Sequence, residues 1–519
     1  MARTLHHARL LVAAGVAGTL LFGGQAAAAP GGAGWSSAGG DRQNSRSAAG
    51  ESKISPDTIA GLTKKWQVTT GGDVSATPSV DDKQVYAPDW AGNLYAVNRS
   101  NGKVVWTTRI SDYTGLPGDK ARATPAVGDN AIVVGNQGPL GHGGAVMAIN
   151  KATGALLWKT QVEDHPAAII TQSATIWGGV VYVGVASQEE LLASGIAGPY
   201  DCCSFRGSMA ALDLATGKVL WKTYMTPGAD YPGNAVWGSS PAIDPKRNSV
   251  YIATGNNYDV PDSVLQCVAA AGSNPAAQAA CLPADDYFDS IVALDLTTGA
   301  VKWSTRALPF DAWTVSCIFG DPSNCPQPSG PDYDFGQAPA LFKVAGGPTK
   351  GRELVGVGQK SGDYWALDPD TGAVVWKTSA GPGGTAGGLQ WGSAVDGKRV
   401  YTANANSNGV SYQGSTAGVW SGLDAATGQV LWQTRPSHGG STSGPVTTAN
   451  GVVFGCSLDP DGYMYALNAA TGAELWSYAS GGSCLSGAAV SNGTVYWGSG
   501  YSNFGFGTPN NQLYAFAIR

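Results

Sequence analysis

The sequence predicts an all-β fold: an eight-bladed propeller of four-stranded antiparallel blades, closed by pairing of its N- and C-terminal strands. Two observations predict it. A thirteen-residue phrase that ends in Trp occurs seven times, and the two ends of the chain carry the two halves of an eighth copy.

The copies begin LYAVNRSNGKVVW (Leu94 to Trp106) and VMAINKATGALLW (Val146 to Trp158), and they end with MYALNAATGAELW (Met464 to Trp476). Each reads as strand, tight turn, strand, because alternating apolar residues lead into a turn whose Gly tolerates positive φ. QLYAFAIR (Gln512 to Arg519) is a first half without a second, and KKWQV (Lys64 to Val68) is a second half without a first. Joining them closes a ring and removes the exposed sheet edges that invite aggregation. Trp66, Trp106, Trp158, Trp221, Trp303, Trp376, Trp432 and Trp476 then become equivalent packing residues between blades.

Residues 1–28 read as a secretory signal, with Arg3 and Arg9 about an apolar run and small residues at its end. Residues 29–55 read as a flexible Gly/Ser-rich arm, and 56–519 as the propeller. No later stretch approaches the roughly 20 apolar residues of a membrane span, so no integral membrane segment remains once the signal is cleaved and the product is secreted, extracellular or periplasmic. The formal net charge is −6, with 31 Lys+Arg against 37 Asp+Glu, which argues against a nucleic-acid partner. All eight cysteines lie beyond the signal, where disulfides are the default. Proximity pairs Cys267 with Cys281, Cys317 with Cys325, and Cys456 with Cys484. Cys202 and Cys203 are adjacent, and a bond between them is unusual because neighbouring Cα atoms are held about 3.8 Å apart, short of the ordinary disulfide span. The absence of Cys-x-x-Cys-His excludes a covalently attached haem.

The repeated phrase, the Cys202-Cys203 pair before Arg206-Gly207, and the segments CCSFRGS and PDYDFG resemble the quinoprotein alcohol dehydrogenases that use pyrroloquinoline quinone (PQQ), and most of all their polyvinyl alcohol dehydrogenase branch. The resemblance spans about residues 60 to 519. It implies oxidation of a primary or secondary alcohol, a polymeric one included, by metal-assisted hydride transfer to the quinone with an Asp as base. A separate electron acceptor, such as a cytochrome c or a quinone, then takes the electrons.

The resemblance also implies site residues. Cys202 and Cys203 would cover the quinone and Trp237 would support it, with Arg122 and Thr171 meeting its carboxylates and Lys360 its reactive carbonyl. Asn404 and Asn406 fall where an Asn lies near the quinone, Asn406 being preferred. Calcium, or alternatively a lanthanide, would be held by Glu189 (Glu190 the alternative), Asn256 and Asp332, oxygen donors such as hard cations take. Asp332 is the first choice for the base and Asp334 the second. The insertions between Asn257 and Asp289 and between Arg306 and Asp334 are expected to form the rim. A non-catalytic propeller scaffold or binding protein is the alternative reading.

Overall fold

The computed structural model describes residues 34–518 as a ring of eight antiparallel sheets. Blade 1 comprises Ser79–Val80, Gln84–Pro88, Asn93–Asn98 and Val104–Arg109, and blades 2 to 7 repeat this order. Blade 3 carries an additional short strand, Ala168–Ile169. Blade 8 is made from both ends: Leu62–Thr69 pairs with Gln512–Ile518, which continues into Thr494–Ser499 and Ala489–Ser491. Interior strands such as Ala131–Gly135 are buried throughout, whereas outer strands such as Val104–Arg109 alternate towards solvent.

The repeat is legible as a docking device. The turn glycines Gly102, Gly154, Gly217, Gly299, Gly372, Gly428 and Gly472 adopt φ of 71° to 76°. Each lies against the Trp of the preceding blade so closely that a Cβ would sit 2.4 to 2.9 Å from its nearest neighbour. All the repeat tryptophans except Trp376, whose indole N–H is buried without a partner, donate across the blade boundary, as in Trp158 to Leu214 O at 2.8 Å, Trp221 to Leu296 O at 3.0 Å, and Trp476 to Leu62 O at 3.1 Å where the ring closes. At four of the boundaries a Thr two residues after the Trp adds a second bond, as Thr305 does to Gly372 O at 2.6 Å. Gly, Trp and Thr recur together because each blade's turn is the next contact surface.

All four disulfides are present: Cys267–Cys281, Cys317–Cys325, Cys456–Cys484 and Cys202–Cys203. The secretory signal over 1–28 lies outside the described residues. Among the described residues no helix is long and apolar enough to cross a membrane.

The expectation of a flexible arm fails for its described part, residues 34–55. This segment is bound to the inner strands of the ring. Trp35 exchanges both backbone hydrogen bonds with Val80 of blade 1, and Ser36 O accepts from Val127 of blade 2. Arg42, Gln43, Ser45 and Arg46 carbonyls then accept from Ile243, Leu341, Val395 and Thr448 of blades 4, 5, 6 and 7. The Glu51 carboxylate takes Gly493 N of blade 8 at 2.7 Å. The glycines that suggested mobility serve close packing: at Gly40, φ 82°, a Cβ would lie 2.9 Å from the buried Trp35 ring.

Candidate active site

Three glycines let the loops of neighbouring blades converge near the axis. A Cβ on Gly255 would lie 2.8 Å from Asp334 Oδ1, one on Gly336 2.9 Å from the Trp237 ring, and one on Gly238 2.4 Å from Gly336. Trp237, Asn256 and Asp334 therefore meet. Trp237 Nε1 donates to Asp334 Oδ2 at 3.0 Å, and Asn256 N donates to Asp334 Oδ1 at 2.7 Å. The Asn256 amide is fixed by donating to Asn257 O at 2.8 Å and Trp313 O at 2.7 Å. Its Oδ1 is buried without a hydrogen-bond partner, as is Glu190 Oε1.

Trp237, Asp334 and Glu190 face a central cavity of about 400 Å³, lined also by Arg122, Thr171 and Lys360 among others. The volume falls within the range of small-molecule sites. Trp391 lines it too, with its ring edge-on to Trp237 at 5.2 Å between centroids and the Arg122 guanidinium 4.4 Å over its face.

The electrostatics are those of a cation among buried acids. Lys360 Nζ lies 2.7 Å from Asp332 Oδ1 and 3.3 Å from Asp334 Oδ2. Burial disfavours its charge, but Asp332, Asp334 and Glu190 outweigh burial and hold the ammonium above its ordinary value. Burial pushes the Glu190 carboxyl up to about 8, Lys360 opposing and Asp334 and Asp311 reinforcing. Asp332 is likewise raised by burial, with Lys360 opposing.

Among the described residues no three Asp, Glu, His or Cys side chains are arranged to hold a metal by themselves. The donor set here is mixed. Two carboxylates facing the cavity and an amide oxygen without a partner suit a hard cation, which takes oxygen ligands.

A family model described as outer membrane protein assembly factor BamB matches residues 57–305 and 360–519. The polyvinylalcohol dehydrogenase of Sphingopyxis sp. (strain 113P3) is 30% identical over 517 residues, covering 89% of this chain and 73% of that one. The chain belongs to the PQQ-dependent alcohol dehydrogenases. A polyvinylalcohol dehydrogenase from Pseudomonas sp is also 30% identical, over 88% of this chain and 73% of its own length. The crystal structure of quinohemoprotein alcohol dehydrogenase from Comamonas testosteroni superposes with a TM-score of 0.69 over 94% of this chain and 80% of that chain, at 19% identity, and so shares the fold.

Against that quinoprotein family, the expected site residues divide. Arg122, Thr171, Trp237 and Lys360 line the cavity, and Asn256 lies directly behind Asp334. Asp332 does not line it: its carboxylate is turned onto Lys360, and Asp334 faces the cavity in its place. Of the two aspartates, Asp334 is the one at the cavity wall. Glu189 does not line the cavity either. The Glu189 carboxylate accepts from Tyr200 Oη, Ser204 N and Phe205 N at 2.7 to 2.9 Å, holding the loop that carries the cysteine pair, while Glu190 lines the cavity. Cys202 and Cys203 are not among the lining residues, and Cys203 packs on the core cluster shared by Phe205 and Tyr258. Asn406 is consumed by its own loop, donating to Val410 O and Thr416 O and accepting from Val410 N. Asn404 likewise spends its amide on Pro382 O and Asn406 N.

Trp391 escaped the sequence reading. The signal was present, since Trp-Gly-Ser at 237–239 recurs at 391–393.

Proposed function

We propose that the chain oxidises alcohols with PQQ and a hard metal ion, and that secondary alcohols, including those of polyvinyl alcohol, are its substrates. The observation that carries this is the joining of Trp237, Asp334 and Asn256 into one hydrogen-bonded unit at the wall of the cavity, beside Lys360 and Glu190. Bound PQQ would supply the hydride acceptor, and calcium or a lanthanide would supply Lewis-acid polarisation.

The chain's own residues do the rest. Trp237 offers a flat face for the quinone, and Arg122 a guanidinium for its carboxylates, with Thr171 beside it. Glu190, Asn256 and Asp334 would hold the metal through the oxygens described above. Asp334 is also the base that takes the alcohol's hydroxyl proton, because it is the aspartate open to the cavity. Lys360 keeps its proton and opposes negative charge that develops next to it. Asp332 positions Lys360.

Substrate choice belongs to the rim. The two loops whose Leu191 and Val315 line the cavity continue outward to Ile196, 70% exposed, and to Ile318 and Phe319, at 59% and 48%. They are joined by Ser316 Oγ donating to Ala193 O at 2.7 Å and Asp321 N to Ser194 O at 3.0 Å. An exposed apolar edge at the mouth of a polar site suits a hydrocarbon chain bearing hydroxyls. The secretory signal read over 1–28 supports an exported protein that meets such a polymer outside the cytoplasm and passes electrons to a separate cytochrome c or quinone.

Adding PQQ with calcium, or with a lanthanide, to the purified protein and following dye reduction with 2-propanol, ethanol and polyvinyl alcohol tests the reading. Reduction that needs both additions supports it. A pure scaffold would give none.

A further inference from the structure

Blade 4 ends at Arg306, and the chain then runs through Phe310-Asp311-Ala312-Trp313 into the insertion before returning at Gly330 with the segment that carries Asp334. Asp311 is fully buried and lines no part of the cavity, so the mechanism above leaves it unused. Its surroundings show what it holds. Asp332 N donates to Asp311 Oδ1 at 3.2 Å, and Tyr333 N to Oδ2 at 2.8 Å. Two successive N–H groups, the first on a residue at φ 58°, make a nest for an anion, and the Asp311 carboxylate fills it. Gly330 permits the approach: a Cβ there would lie 2.0 Å from Asp311 Oδ1.

The other side of the same stretch is tied to the segment that carries Asn256. Asn257 N donates to Asp311 O at 3.1 Å, Trp313 N donates to Asn257 O at 2.9 Å, and Trp313 O accepts the Asn256 amide. Gly330 N donates to Ala312 O at 2.9 Å, and Asn256 N to Asp334 Oδ1, so the stretches 256–257, 311–313 and 330–334 close a circuit. A carboxylate is needed in the nest: an Asn of the same shape has one oxygen to accept with, and its NH₂ would meet a second N–H. Behind Asp311 lies Asp289, also fully buried. The Asp289 oxygens meet no N–H or hydroxyl donor among the described residues, and its carboxyl hydrogen-bonds Asp311, so the proton between the two acids is its own. Burial first, and the Asp311 charge second, keep Asp289 protonated well above the ordinary carboxyl range.

We propose that Asp311 is a positioning residue for the reaction: by filling the nest at Asp332 and Tyr333 while its backbone pairs with Asn257, it registers the base Asp334 against the Asn256 side-chain oxygen. Asp289 supplies the hydrogen bond that orients the Asp311 carboxylate. The roles of Asp334 and Asn256 rest on the function proposed above; the coupling of their two segments through Asp311 does not.

The test compares wild type, Asp311→Asn and Asp289→Asn as full chains. Amide hydrogen exchange over residues 254–258 and 331–335 in metal-free protein reads the coupling directly. Terbium luminescence excited through tryptophan reads metal affinity, and turnover of 2-propanol by protein loaded with PQQ and calcium gives kcat and KM. In Asp311→Asn, loss of a charge-assisted contact should speed exchange in both stretches, weaken terbium binding and lower kcat, each by about tenfold or more, with KM within about threefold of wild type. Asp289→Asn should stay close to wild type in every readout, since its amide donates to Asp311 as the acid did. Unchanged exchange in Asp311→Asn overturns the proposal. Faster exchange with wild-type terbium affinity and kcat also overturns it, because Asp311 is then a structural residue only. A loss in Asp289→Asn equal to that in Asp311→Asn would overturn the shared proton. Faster exchange in Asp311→Asn, when wild type itself takes neither terbium nor PQQ, keeps the coupling and refutes the reading of the site. Should Asp311→Asn not fold, Gly330→Ala, whose methyl group presses on Asp311 Oδ1, replaces it with the same outcomes.

Discussion

Trp237 donates its indole N–H to Asp334 Oδ2 at 3.0 Å, so the flat wall of the cavity and its open carboxylate are a single unit. A shift of either displaces the other. Trp237→Phe keeps the aromatic face and removes this donor; we expect PQQ affinity within a few fold of wild type but a lower kcat, while Trp237→Ala weakens both. Fluorescence titration beside steady-state kinetics separates the two.

Asp334→Asn should reduce kcat by about 10²- to 10⁴-fold, the usual contribution of a positioned base, with PQQ still bound. Asp332→Asn, which only loosens the brace on Lys360, should cost less. The opposite ranking would return the base to Asp332.

Adjacent glutamates should behave differently on metal removal. After chelation, Glu190→Gln should need at least tenfold more calcium than wild type to regain activity. Glu189→Gln should keep the wild-type metal requirement and lower the melting temperature, because it loses a charged acceptor of Ser204 N and Phe205 N. A calcium titration of both variants, with a melt of each, checks this.

The blade interface gives a stability prediction. Gly299→Ala places a methyl group 2.5 Å from Trp221 at φ 71°, and should destabilise the ring by about 1–3 kcal/mol. Gly346→Ala, where nothing lies within 4 Å, should fall within about 0.5 kcal/mol of wild type in the same denaturation experiment.

Asp286 gives the pH dependence. It is buried and accepts the amides of Asn234 and Asn257 at 2.8 and 2.9 Å, and burial raises its pKa to about 6. The folded state therefore holds its proton more tightly than the unfolded chain, whose Asp titrates near 3.9. Its stabilising contribution is whole below about pH 4 and is lost as pH rises to about 6, on the order of 2–3 kcal/mol. Asp286→Asn should flatten that part of the stability profile; an unchanged slope in urea melts across this range would exclude the assignment.

The ring was legible in the sequence because its repeat encodes a contact: the Gly of one turn and the Trp of the preceding blade require each other, so both recur. Residues 34–55 were misread because close packing and mobility select the same small residues, and composition cannot tell Gly40 beneath Trp35 from a free linker. The site was legible to the segment but not to the side chain. Glu189 and Glu190, or Asp332 and Asp334, are equivalent as spacing, and their directions are set by partners elsewhere in the chain, Phe205 N and Lys360 among them. Asn406 matched by position, but its loop to Thr416 claims the amide.

The central claim is tested most directly by the absorption spectrum of the purified protein after PQQ and calcium are added and excess is removed by gel filtration. The account predicts stoichiometric retention of the quinone chromophore, and bleaching or shifting of its absorption when a secondary alcohol is supplied. A folded protein that retains no quinone with calcium, and none with a lanthanide in its place, would contradict it.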